Sequence, residues 1–133
     1  MGNVNRRFVI DTNILIYHLN DVLNDQAEGL LEDAFKHSAS ISVITRIELF
    51  GWKRHTPDSL NDTRELLACL HECPLNEDVV ETCITLRQRF SIKLPDAIIA
   101  ATALHLEIPL MTRNCEDFKH VSDLNVVNPF ENP

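Results

Sequence analysis

Four acidic residues stand where carboxylates could act together. They are Asp11 in Asp11-Thr12-Asn13, the isolated Glu48, Asp96 after Leu94-Pro95, and Asp117 in Thr112-Arg113-Asn114-Cys115-Glu116-Asp117-Phe118. Carboxylates gathered in one place raise one another's pKa unless a cation lies among them. An all-oxygen set favours a hard ion, Mg²⁺ or Mn²⁺, over zinc. Such an ion can orient and activate water and neutralise charge building on a phosphodiester, and a second ion about 3.5–4 Å away could stabilise the leaving oxygen.

Taken singly, each acid has an ordinary explanation. Asp11, Thr12 or Asn13 can cap a helix. Glu48 follows Thr45 by three residues, the spacing of a capping box. Asp96 follows a proline at a helix start, where an acid gains about 0.3–1 kcal/mol from the macrodipole. Thr112 or Asn114 can cap a helix that has Asp117 in its first turn. Two details pull the other way. Glu48 is flanked by Ile47, Leu49 and Phe50, and the helix after Asp96 reads Ala97-Ile98-Ile99-Ala100-Ala101, apolar enough to be buried nearly all round.

The elements that position these residues alternate. Strands are expected over residues 7–10, 39–43, 109–112 and 124–127, with a short edge strand at Cys73-Pro74-Leu75, where proline is tolerated. Helices are expected over 14–19, 22–37, from a Thr45 N-cap to about His55, over 60–71 after a break at Pro57-Asp58-Ser59, over 77–90 and over 96–106. Short strands alternating with helices predict an α/β fold: one domain over residues 1–133, with a central, mainly parallel sheet and helices on both faces. Ligands of such sheets gather beyond the carboxyl ends of the strands. All four acids fall at strand-to-helix junctions on that one edge.

Composition narrows the field. Twelve basic residues against twenty acidic ones give a net charge of −8, which argues against binding nucleic acid by bulk positive charge, yet suits carboxylates gathered for divalent cations. With only Gly2, Gly29 and Gly51, the chain cannot build a Rossmann fingerprint, a Walker A loop or a nucleophile elbow. Cys69, Cys73, Cys83 and Cys115 form no C-x-x-C, and no His pair completes a zinc site, so reduced thiols are expected. No stretch has the length of a membrane span, and the first residues lack a secretory signal, so the expectation is a cytoplasmic protein with no membrane association.

The ordered set Asp11-Thr12-Asn13, Glu48, Leu94-Pro95-Asp96-Ala97 and Thr112-Arg113-Asn114-x-x-Asp117-Phe118 resembles the PIN-domain nucleases, and more closely the VapC-type toxins of bacterial toxin–antitoxin pairs. The likeness runs from residue 9 to 129. It implies a metal-dependent endoribonuclease in which Asp11, Glu48, Asp96 and Asp117 are the catalytic, metal-binding acids. The fourth position stays open between Asp117 direct and Asn114 or Asp117 through water. Thr12, Asn13 and Thr112 fall on polar positions that hold carboxylates and water. Arg113, beside them, is the best candidate to meet an RNA substrate, whereas Lys53, Arg54, Arg87, Arg89 and Lys93 read as solvated faces. Phe50 and Trp52 read as core or interface. The resemblance, with the apolar helices, also implies a homodimer and a small antitoxin whose tail covers the site.

Two other readings compete. A haloacid-dehalogenase-type phosphatase also starts from an aspartate after its first strand, but needs a second acid where Asn13 stands, and a catalytic lysine without a clear candidate here. A PIN-like scaffold could bind RNA or protein without cutting, although a degenerate site would tolerate loss of the acids that this chain keeps at all four junctions.

Overall fold

The central strand is only two residues long, Val9 and Ile10, and neither exposes any surface. In the computed structural model, which describes residues 7–131, this strand (β1, Val9–Ile10) is followed by α1 (Thr12–Leu19), α2 (Asp25–Lys36), β2 (Ser40–Ser42), α3 (Val43–Phe50) and α4 (Pro57–Ala68). Then come β3 (His71–Cys73), α5 (Glu77–Arg89), α6 (Leu94–Leu106), β4 (Leu110–Met111), a 3₁₀ turn (Cys115–Phe118) and β5 (Val126–Val127). All five strands pair in parallel in the order β3-β2-β1-β4-β5. The chain therefore builds outward from β1 to β3, then crosses back to place β4 on the other side of β1. The switch point lies between β1 and β4, where an open parallel sheet leaves a crevice at its carboxyl edge.

Successive strand residues point to opposite faces, and two cores follow. Val9 and Leu110 pack with α5 and α6, against Val79, Cys83, Leu86, Ala97 and Ala100. Ile10 and Met111 face the other way, into Ile14, Leu15, Ala27, Leu31 and Leu66 of α1, α2 and α4. Helices thus cover both faces, as expected of a parallel sheet.

Several boundaries differ from the sequence reading, each for a local reason. α3 starts at Val43 because the Ser42 hydroxyl accepts a bond from the Ile44 amide, so Thr45 lies inside the helix and forms no capping box with Glu48. The helix stops at Phe50, ahead of His55. Pro57 opens α4 rather than breaking the chain: Thr56 and Ser59 form a reciprocal capping box with Pro57 in the first turn. β3 ends at Cys73, before Pro74, and is an edge strand as expected. α6 begins two residues early, at Leu94, and ends where Glu107 takes a left-handed conformation at φ 57°.

Ala97, Ala100, Ala101 and Ala103 of α6 are fully buried, so small side chains let this helix lie close against the sheet. Leucine at position 100 has no room without displacing the helix that carries Asp96. Ala100→Leu is expected to cost about 1–3 kcal/mol, read as a lower urea midpoint at unchanged slope. An unshifted midpoint would show that the helix–sheet packing is looser than described.

Candidate active site at the carboxyl edge of the sheet

Asp11 is the first residue beyond β1 and Thr112 the first beyond β4, so the switch point brings them side by side. The Thr112 hydroxyl donates to Asp11 Oδ2 at 2.6 Å. The same oxygen accepts from Asn13 Nδ2 at 3.2 Å, and Oδ1 accepts from the Thr12 amide at 2.8 Å. Asp11 is therefore both the N-cap of α1 and a carboxylate at the floor of the edge, only 5% exposed. Asn13 Nδ2 also lies 3.5 Å from Thr112 Oγ1, which accepts the Asn114 amide at 3.0 Å. These contacts fix the Asn13 amide orientation and leave its Oδ1 buried without a hydrogen-bond partner.

Glu48 is held from the opposite side. The Thr12 hydroxyl donates to Glu48 Oε1 at 2.7 Å, and Thr45 Oγ1 lies 2.9 Å from the Thr12 oxygen. Since Thr12 has one hydroxyl proton and spends it on Glu48, the buried Thr45 hydroxyl donates to Thr12. Thr45 is the residue that the sequence reading misplaced as a cap. Its signal was the three-residue spacing to Glu48, which sets both on one helix face. Glu48 itself is exposed, despite its apolar neighbours.

Asp96 is half-buried in the first turn of α6. Its pKa is raised by desolvation first, then by the charge of Asp117, with Lys93 opposing and Glu48 adding to the rise. Asp117 is exposed on the 3₁₀ turn, its amide bonded to the Asn114 carbonyl at 3.1 Å. Asn114 is exposed too, with no side-chain bond to the turn it precedes. Burial pushes Asp11 from 3.8 up to about 6, against the Thr112 and Thr12 hydrogen bonds that lower it, with Asp96 and Glu48 adding repulsion. The four acids thus share one electrostatic neighbourhood. Yet among the described residues no three His, Cys, Asp or Glu side chains converge tightly enough to hold a metal ion as they stand.

A family model for the PIN domain matches residues 8–124. The chain belongs to the PIN domain family. No curated protein matches the sequence. Among solved structures, the chain is 36% identical to a chain of a toxin–antitoxin complex from Klebsiella pneumoniae, covering 94% of this chain and 99% of that one at a TM-score of 0.77. VapBC-1 of nontypeable Haemophilus influenzae gives 24% identity, 94% and 99% coverage and a TM-score of 0.78. VapBC2 of Rickettsia felis, bound to a DNA fragment from its promoter, gives 23%, 92% and 98%, and 0.80. The last two show a shared fold. The PIN-domain likeness seen in the motifs extends over the three-dimensional structure.

In this PIN domain the switch-point carboxylate carries a stability cost. Asp11 binds a proton more tightly folded than unfolded, so between about pH 4 and 6 the native state holds more protons and stability falls as pH rises. Above that window the ionised group costs about 3 kcal/mol. Asparagine caps helices as well as aspartate does, so Asp11→Asn is expected to raise stability by about 1–2 kcal/mol near pH 7.5 and by little near pH 4 in metal-free buffer. Denaturation curves across that range check it, and an equal effect at both ends would remove the titration as its cause. Among the described residues no helix is long and apolar enough to cross a membrane.

Proposed function

We propose that residues 1–133 act as one PIN domain, a cytoplasmic endoribonuclease toxin that depends on a divalent metal ion and is restrained by a small antitoxin. The observation that carries the reading is that Asp96 and Glu48 act on the charge of Asp11, and Asp117 on that of Asp96, at the switch-point edge of a parallel sheet. The donor chemistry fits Mg²⁺ or Mn²⁺: every candidate ligand is an oxygen, and the orphaned Asn13 Oδ1 adds a buried acceptor beside Asp11. Asp11, Glu48, Asp96 and Asp117 would hold the ion, with Asn114 the alternative at the fourth position. When bound, the ion supplies Lewis-acid stabilisation for phosphodiester hydrolysis by water.

The chain's own residues orient the reactants. Thr112 and the Thr12 amide fix the Asp11 carboxylate, Thr12 and Thr45 fix Glu48, and Asn13 bridges Asp11 and Thr112. No protein nucleophile is needed. The Ser59 hydroxyl, 2.8 Å from His55 Nδ1, is occupied in the capping box of α4. Arg113 brings positive charge to an acidic edge.

A groove of about 250 Å³ beside Glu48, lined by Ile16, Leu19, Leu49 and Trp52, supports an antitoxin partner. Trp52 is 55% exposed, which removes it from the core and leaves the interface role. Exposed Ile47, Ile84 and Leu94 support a homodimer. The Klebsiella relative comes from a toxin–antitoxin complex, in keeping with this assignment.

The lack of three converged acids favours a second reading, a scaffold that binds RNA or protein without cutting it. One experiment separates the two. Purified protein free of antitoxin, incubated with total cellular RNA, is expected to yield discrete fragments with Mg²⁺ or Mn²⁺ and none with EDTA. Asp96→Asn is expected to lower the cleavage rate about a hundredfold or more. Absence of cleavage by folded protein with either ion would leave the scaffold.

A further inference from the structure

Arg113 directly follows Thr112, the residue that bonds Asp11, and lines a shallow cleft with Asn114 and Asp117. Its guanidinium carbon lies 4.3 Å from the ring centroid of Phe130 and 5.4 Å from that of Tyr17. The two rings meet edge to face, 6.0 Å apart at 89°, and form a corner around the cation. Tyr17 comes from α1 and Phe130 from the segment after β5, so the corner joins three separate parts of the chain.

The Phe130 side of the corner is anchored. Pro129 is buried, the Phe130 amide donates to Asn128 Oδ1 at 3.0 Å, and Gln26 Nε2 donates to the Glu131 carbonyl at 2.9 Å. Aromatic faces attract the guanidinium charge without consuming its N–H donors. Three other basic side chains spend theirs: Arg46 pairs with Glu72, Lys119 with Glu116, and Arg87 donates to the Ile92 carbonyl. Among the described residues Arg113 has no carboxylate within ion-pair distance. An exposed arginine with its charge seated and its donors unspent, at the rim of an acidic edge, suits a phosphate. Lysine would not seat the same way, because its compact ammonium offers no planar face to stack. Holding the side chain in advance also removes part of the ordering cost of binding.

We propose that Arg113 contacts a backbone phosphate of single-stranded RNA, and that Tyr17 and Phe130 are the positioning residues that aim it. The inference rests on the nuclease reading for its substrate class. Fluorescence anisotropy with a fluorescein-labelled, mixed-sequence single-stranded RNA tests it, over a salt series with Mn²⁺ present. All proteins carry Asp96→Asn, which keeps the probe intact.

Adding Arg113→Ala is expected to weaken binding about tenfold and to flatten the slope of log K against log salt by about 0.7, the signature of one lost single-strand phosphate contact. Phe130→Leu, which keeps an apolar side chain but removes the ring, is expected to weaken binding about threefold, and Phe130→Tyr to leave it unchanged. Wild-type affinity and slope for Arg113→Ala, or no RNA binding by the parent, would overturn the contact. Wild-type binding by Phe130→Leu would overturn the clamp. Cleavage of total RNA by the unsubstituted protein judges the nuclease reading separately. Arg113-dependent binding without cleavage sinks that reading and upholds the contact; cleavage with Arg113-independent binding does the reverse.

Discussion

Everything at the carboxyl edge depends on one buried carboxylate accepting a hydrogen bond from a hydroxyl across the gap between two strands that never follow one another in the chain. Asp11 leaves β1 and Thr112 leaves β4, a separation of 101 residues, and their 2.6 Å bond closes the switch point. A carboxylate so deeply buried would be costly to ionise alone. Three donors reduce that cost without cancelling it, and the remaining imbalance keeps its pKa near 6. The site is therefore assembled at the expense of stability, a common property of positions held for chemistry rather than packing.

The architecture was legible because it is written in contrasts that survive without an alignment. Val9-Ile10 followed by Asp11, and Leu110-Met111 followed by Thr112, mark a change from buried strand to polar edge within one residue. The alanine-rich run after Asp96 announces a helix buried on most sides, as α6 is. What was not legible is the choice among neighbouring hydroxyls. Ser42 and Thr45 are both able caps, and local spacing favoured Thr45 because Glu48 completes a box with it. The chain instead turns helical immediately after β2, so Ser42 caps and Thr45 becomes free to join Thr12. Only the crossing of α1 and α3 decides that, and it is a tertiary fact. The Tyr17–Arg113–Phe130 corner was hidden for the same reason: no local pattern links three residues that far apart.

Charge poses a separate constraint. A chain of net charge −8 repels a polyanion at long range, so any affinity for RNA must come from short-range contacts at the edge, where screening and geometry count more than totals. Arg46, Arg87 and Lys119 are tied to acids or carbonyls within the fold. This leaves the local pattern at the edge, rather than the overall balance, to decide what approaches.

The four acids are not held with equal firmness. Asp11 is fixed by three donors and by its place at the start of α1. Asp96 is carried by a helix whose alanines are seated against the sheet, so its backbone cannot shift without disturbing the core. Glu48 is exposed on α3 and restrained at its carboxylate by the Thr12 hydroxyl, while Asp117 is exposed on a single 3₁₀ turn. Thr12 bonds both Glu48 and Thr45, so one hydroxyl links α1 to two residues of α3. A deeply held pair and two exposed acids thus perturb one another across the edge without converging on one point.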